Sequence, residues 1–251
     1  MISLEGKVAL ITGGSRGIGR AVAMLFAEAG GDLVINYRAD RDQSTGVASA
    51  AQKLGARAIE IKADIADRKQ VDTMVARAIA EFGHLDILVN NAGVWVRNPI
   101  DQMSESLLKE TIDINLMGTF YTCMAVAPHM IQRGSGTIIN ISSTAGQRGE
   151  AKHSPYAATK GAVISLTKSL ATELAPHNIR VNCVAPGWVD TDMSHEALVG
   201  ADRDWVLGQI PLGRAASADE LAGPVLFMAS DMASFITGEV LNVNGGAVLC
   251  G

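Results

Sequence analysis

Val8-Ala9-Leu10-Ile11-Thr12-Gly13-Gly14-Ser15-Arg16-Gly17-Ile18-Gly19 joins a short apolar run to a glycine-rich turn, and a helical pattern follows at once. The run at 8–12 is apolar throughout rather than alternating, as expected of a strand covered on both faces. Gly13, Gly17 and Gly19 allow a tight turn and close backbone approach. The N-terminus of the following helix, at about 17–29, favours a pyrophosphate through its free N–H groups and dipole. The spacing is not Gly-x-Gly-x-x-Gly. No Gly-Lys-Ser/Thr follows either, which excludes a nucleotide-triphosphatase loop.

Outward from this turn the same unit repeats. Candidate strands at 8–12, 32–37, 57–62, 87–90, 136–142, 179–184 and 240–243 alternate with helical patterns at about 17–29, 43–54, 67–82, 104–132, 155–175 and 217–229. Strand–helix alternation predicts an α/β fold: one Rossmann-type domain over 1–251, a doubly wound parallel sheet of about seven strands with helices on both faces. The rhythm breaks at 188–210, which carries Asp190, Asp192, His195 and Trp205 and stops at Pro211. A stretch of that length without a strand reads as a substrate lid, against the alternative of a helical excursion over the sheet edge.

Composition narrows the function classes. The chain has 251 residues, is 48% hydrophobic, and carries 21 basic and 26 acidic residues for a net charge of −5, with no basic stripe of the kind a nucleic-acid binder shows. Cys123, Cys183 and Cys250 are odd in number and widely spaced, which argues against zinc or a disulfide framework and for a reducing compartment. No run approaches the ~20 apolar residues of a membrane span, and the apolar run 8–11 is too short for a signal sequence. A cytoplasmic protein is expected.

The chemistry concentrates in Asn140-Ile141-Ser142-Ser143-Thr144 and Ser154-Pro155-Tyr156-Ala157-Ala158-Thr159-Lys160. Helical spacing puts the Tyr156 phenol and the Lys160 ammonium on one face. Lowering a phenol from a pKa of about 10 to about 7 requires roughly 4 kcal/mol. A cation about 4 Å away supplies on the order of that at an effective dielectric of ~20. Lys160 is therefore expected to depress Tyr156, with Ser143 holding a substrate oxygen. Strand alternation sends Ser142 to the opposite face.

At the end of the second strand, Asn36-Tyr37-Arg38 stands where an acidic residue would bind the ribose hydroxyls of NAD. Arg38 and Arg16 instead favour a 2′-phosphate, so NADP(H) is expected over NAD(H).

With these residues in view, the chain resembles the short-chain dehydrogenase/reductase superfamily from end to end, and within it the 3-oxoacyl-acyl-carrier-protein reductases. The resemblance rests on the cofactor turn, Asp64 in Ala-Asp-Ile, Asn90-Asn91-Ala92-Gly93, Asn115 in Asp-Ile-Asn-Leu-Met-Gly, the Ser143–Tyr156–Lys160 triplet, Pro186-Gly187 and Thr191. It implies that Tyr156 is the general acid in reduction and the base in oxidation, and that Lys160 tunes Tyr156 and binds the nicotinamide ribose. It further implies that Ser143 holds the substrate oxygen, and that Asn115 kinks a helix and completes a water relay. No metal is required. Implied cofactor contacts are Gly13, Ser15, Arg16, Gly17, Ile18 and Gly19 in the turn, then Tyr37, Arg38, Asp64, Ile65, Asn91, Ala92 and Gly93. Tyr156, Lys160, Pro186, Gly187, Val189 and Thr191 complete the set.

The substrate is read as a small-molecule or thioester carbonyl compound, with acyl carrier protein as a candidate partner. Carrier-docking reductases tend to place basic side chains before the fifth and sixth strands. Here Gly134 follows Arg133, and His177 stands in the second place, so that surface is incomplete. A free sugar, polyol or β-ketoester is the alternative substrate, and a silent NADP-binding sensor or scaffold the alternative of another class. Candidate pocket residues are Ala145, Gly146, those at 94–96 and the 188–210 segment, with packing the competing role for Trp95 and Trp205. The resemblance implies a homotetramer built on the long helices at 104–132 and 155–175.

Overall fold

The computed structural model describes residues 2–250. Its seven strands are β1 (Val8–Ile11), β2 (Asp32–Tyr37), β3 (Ala58–Lys62), β4 (Ile87–Asn90), β5 (Gly136–Ile141), β6 (Ile179–Pro186) and β7 (Val240–Val243). They form one sheet in the order β3-β2-β1-β4-β5-β6-β7, every pairing parallel. The main helices are α1 (Gly17–Glu28), α2 (Arg41–Lys53), α3 (Arg68–Phe82), α4 (Glu105–Ile112), α5 (Gly118–Arg133), α6 (Thr144–Arg148), α7 (Ser154–Leu174), α8 (His195–Val199), α9 (Arg203–Gly208) and α10 (Ala218–Ala229).

Strand alternation divides the core in two. Ala9 and Ile11 face α1, α2 and α10, while Val8 and Leu10 face α3, α5 and the end of α7. Both faces of β1 are therefore covered, which explains its unbroken apolar run. The strand order reverses between β1 and β4, and the carboxyl ends beside that reversal are where a doubly wound sheet leaves a crevice.

The helix expected over 104–132 is divided. A π-helical turn spans Asp113–Met117 between α4 and α5. Its cause is Asn115, whose Oδ1 accepts from the Val94 N–H at 2.8 Å and whose Nδ2 donates to the Val94 carbonyl at 2.9 Å. Reaching the loop after β4 requires an extra residue in the turn.

β6 runs two residues beyond its expected end because Ala185 and Pro186 still pair with Asn242 and Val243 of β7. Proline is tolerated there as the last residue of the ladder. The 188–210 segment holds α8 and α9, and Val189 forms an isolated bridge with Ala216. Trp205 on α9 is two-thirds exposed.

Candidate active site

A cleft of about 410 Å³ opens at the carboxyl ends of the strands. Every residue singled out above as catalytic or cofactor-binding lines it, except Gly19 and Asn115. Gly19 sits just beneath. A Cβ there would lie 2.3 Å from the Gly13 carbonyl oxygen and 2.6 Å from Asn91 Nδ2, so only glycine lets α1 close onto the turn. Asn115 lies behind the cleft, nearly fully buried, and also donates to Thr159 Oγ1 at 3.4 Å. Of the other candidate pocket residues, Val94 and Trp95 reach the cleft, whereas Val96, Ala145, Gly146 and Trp205 do not.

The turn is tied in place by polar side chains at the carboxyl ends of β1, β2 and β4. Thr12 Oγ1 accepts from the Asn91 and Ala92 N–H groups at 3.0 and 3.1 Å, and Asn91 Nδ2 donates to the Thr12 and Gly13 carbonyls. Asn36 Oδ1 accepts from the Gly13 N–H at 3.3 Å while its Nδ2 donates to the Ala63 carbonyl at 3.0 Å. Asn36 is thus a structural tie from β2 to the turn, a role its position in the sequence did not signal.

A dinucleotide fits these residues. α1 begins without a side-chain cap and has no acidic residue in its first turn, so its first N–H groups remain available to a pyrophosphate. By contrast, Asp40, Asp67 and Ser104 cap α2, α3 and α4. Arg38 lines the cleft and makes no ion pair among the described residues. The nearby carboxylate of Asp40 is engaged by the Gln43 N–H. Arg16 reaches Asp192 at 3.7 Å, linking the glycine turn to the 188–210 segment through an exposed pair of little energetic weight.

Ser143 caps α6, its Oγ accepting from the Ala145 N–H at 3.1 Å, and hydrogen-bonds the Tyr156 hydroxyl. Pro155 starts α7 at a position that needs no N–H, presenting Tyr156 in the first turn and Lys160 one turn on. Ser142 also lines the cleft, but its hydroxyl is engaged in donating to the Lys160 carbonyl at 2.7 Å.

The expected effect of Lys160 on Tyr156 needs correction. Burial pushes the Tyr156 hydroxyl up to about 12, opposed by the Ser143 hydrogen bond and reinforced by the Glu150 charge. Burial also brings Lys160 down to about 8. The ammonium donates to the Ile141 carbonyl at 2.7 Å and stands 5.8 Å from the Tyr156 ring centre. Desolvation of the phenol outweighs the field of a cation that is itself desolvated and held by a backbone carbonyl. Cys123 and Cys183 are buried, and their thiols are pushed up to about 12, which leaves them as packing residues.

Trp95, Glu150 and Trp188, which carried no motif, also line the cleft. Trp95 stacks on His153 with ring centres 4.4 Å apart and meets Trp188 edge-on at 5.7 Å. Trp95 Nε1 donates to Glu150 Oε1 at 3.0 Å, and His153 Nδ1 lies 3.4 Å from the same oxygen. Local sequence offers no signal for this cluster, which joins the loop after β4, the α6–α7 turn and the residue after Gly187.

A family model described as enoyl-(acyl carrier protein) reductase matches residues 13–248. The chain belongs to the short-chain dehydrogenase/reductase superfamily and is an oxidoreductase acting on CH–OH groups. It is 42% identical over 240 residues to the 3-oxoacyl-acyl-carrier-protein reductase FabG of Staphylococcus aureus, covering 96% of this chain and 97% of that protein. Identity to the reductase of the same name from Chlamydia muridarum is 40% over 243 residues, covering 97% and 98%. Among solved structures, a gluconate 5-dehydrogenase from Burkholderia cenocepacia J2315 in complex with NADP and tartrate superposes with a TM-score of 0.93 at 39% identity, covering 98% of this chain and 96% of that one.

Proposed function

We propose that the protein is an NADP(H)-dependent oxidoreductase that interconverts a carbonyl compound and a secondary alcohol. The observation that carries this is the convergence of Ser143, Tyr156 and Lys160 on one cleft with the uncapped start of α1. The α1 N-terminus and Arg16 would hold the pyrophosphate, Arg38 the 2′-phosphate, and residues 91–93, 186–187, Val189 and Thr191 the nicotinamide half. When bound, the cofactor supplies the hydride. Ser143 fixes the substrate oxygen and Tyr156 delivers the proton to it, so the carbonyl gains both and becomes an alcohol. A phenol held near 12 carries its proton at neutral pH, as a proton donor must. Asn115 and Lys160 complete the path by which Tyr156 is reprotonated.

The reductases above support a 3-oxoacyl thioester as the substrate. One observation favours the second reading, a free polar carbonyl compound. Arg133, the basic residue nearest the first docking position, is drawn to the buried Asp86 carboxylate at 3.2 Å, and His177 stands in the second. The test is loss of NADPH absorbance with an acetoacetyl thioester, free or on acyl carrier protein, and with free ketones. Turnover with none of them, despite cofactor binding, would identify a sensor and overturn the enzyme reading. Among the described residues no helix is long and apolar enough to cross a membrane. Exposed Phe120, Met124 and Ile131 on α5 support assembly as a homotetramer.

A further inference from the structure

We infer that Glu150 selects the substrate: one carboxylate oxygen accepts a hydrogen bond from a hydroxyl beside the reacting carbonyl, so the cleft takes hydroxylated ketones in preference to plain acyl chains. This rests on the oxidoreductase reading above and names the substrate class of the same site.

The cluster around Glu150 is built. Oε1 accepts from Trp95 Nε1 at 3.0 Å and lies 3.4 Å from His153 Nδ1, whose hydrogen bond goes to the Ala151 carbonyl, so one donor and a neighbouring imidazole hold the side chain from one side. Among the described residues nothing donates to Oε2. Glu150 nevertheless lines the same cleft as Ser143 and Tyr156, and its side chain is only 23% exposed. It is close enough to the catalytic phenol for its charge to act on it.

A carboxylate oxygen covered by substrate must either find a donor there or lose its water without compensation. The alkyl part of an acyl thioester has no donor to offer, whereas a ketose has a hydroxyl on every carbon but the carbonyl. Trp95 and Trp188 wall the same part of the cleft, giving apolar surface for the C–H face of such a molecule. The carboxylate also disfavours an anionic substrate at this point. Burial holds the Glu150 carboxyl above its ordinary range; the charge of His153, the Trp95 hydrogen bond and the charge of Arg148 oppose that rise.

The experiment compares erythrulose with butanone, a ketone of the same carbon skeleton without hydroxyls, and with an acetoacetyl thioester, using NADPH and the full chain. The wild type should reduce erythrulose with a kcat/KM at least about tenfold above butanone. In Glu150→Ala that ratio should fall about tenfold to a hundredfold, the range for loss of a hydrogen bond to a charged acceptor, mostly through KM for erythrulose. Glu150→Gln keeps the acceptor for Trp95 but puts an NH2 donor where Oε2 stood, so it guards against a variant that misfolds and should give a ratio between those of wild type and Glu150→Ala. A wild type that prefers butanone or the thioester, or a ratio unmoved in both variants, overturns the inference while leaving the oxidoreductase reading intact. Failure of the wild type to reduce any of the three with NADPH overturns both.

Discussion

Lys160 stands 5.8 Å from the ring centre of Tyr156, but its ammonium hydrogen-bonds the Ile141 carbonyl rather than the phenol. Two buried groups with opposite shifts follow, a phenol near 12 and an amine near 8.

The pH dependence of reduction should therefore report Lys160. A phenol near 12 stays protonated across the neutral range, whereas Lys160 loses its charge as pH rises through about 8. We expect kcat/KM for ketone reduction to hold from acid to neutral pH and decline above about 8. An activity that climbs steadily towards pH 10 would contradict the assignment.

Stability should respond in the opposite sense. The folded Lys160 pKa is depressed from 10.5 to about 8, so between those values the unfolded chain binds more protons and folding gains as pH rises. Lys160→Met removes the charge and keeps the stem. It should abolish most turnover yet leave Tm unchanged or higher by a few degrees. A fall of Tm by about 5 °C or more would show that the Ile141 hydrogen bond outweighs desolvation.

Tyr156→Phe removes the proton donor but little volume. Turnover should drop by about a hundredfold to ten-thousandfold, with NADPH affinity, read by fluorescence titration, within a few fold of wild type. Near-normal kcat in this variant is incompatible with the proposed role.

Two glycines separate packing from propensity. Gly19 in α1 would place a Cβ 2.3 Å from backbone oxygen, whereas Gly46 in α2 has nothing within 4 Å. Alanine is favoured in a helix by up to about 1 kcal/mol, too little to offset a backbone clash. Gly46→Ala should raise the denaturation midpoint slightly. Gly19→Ala should lower it by the equivalent of about 2 kcal/mol or more and weaken cofactor binding. Equal midpoints for the two would refute the packing argument.

Cofactor choice should rest on Arg38. Arg38→Glu should shift the ratio of kcat/KM for NADPH over NADH towards NADH by at least about tenfold, since it exchanges attraction for repulsion at a phosphate. A wild-type preference for NADH would refute the assignment outright.

The seven strands and the glycine turn were legible because each depends on neighbours in the chain, and strand–helix alternation implied a parallel sheet. Continuous apolar runs report two covered faces, glycines report backbone geometry, and a spacing of four reports one helix face. Ser143, Tyr156 and Lys160 could be singled out on those grounds. What only the tertiary structure decided depends on groups far apart in sequence. Asn115 breaks its helix because Val94 offers it two backbone partners. Trp95, Glu150, His153 and Trp188 become one cluster only when three loops converge. The ionisation of Tyr156 and Lys160 reversed the simple electrostatic expectation for the same reason. Charge attraction can be read from spacing, but the loss of water that opposes it is set by everything packed around the pair.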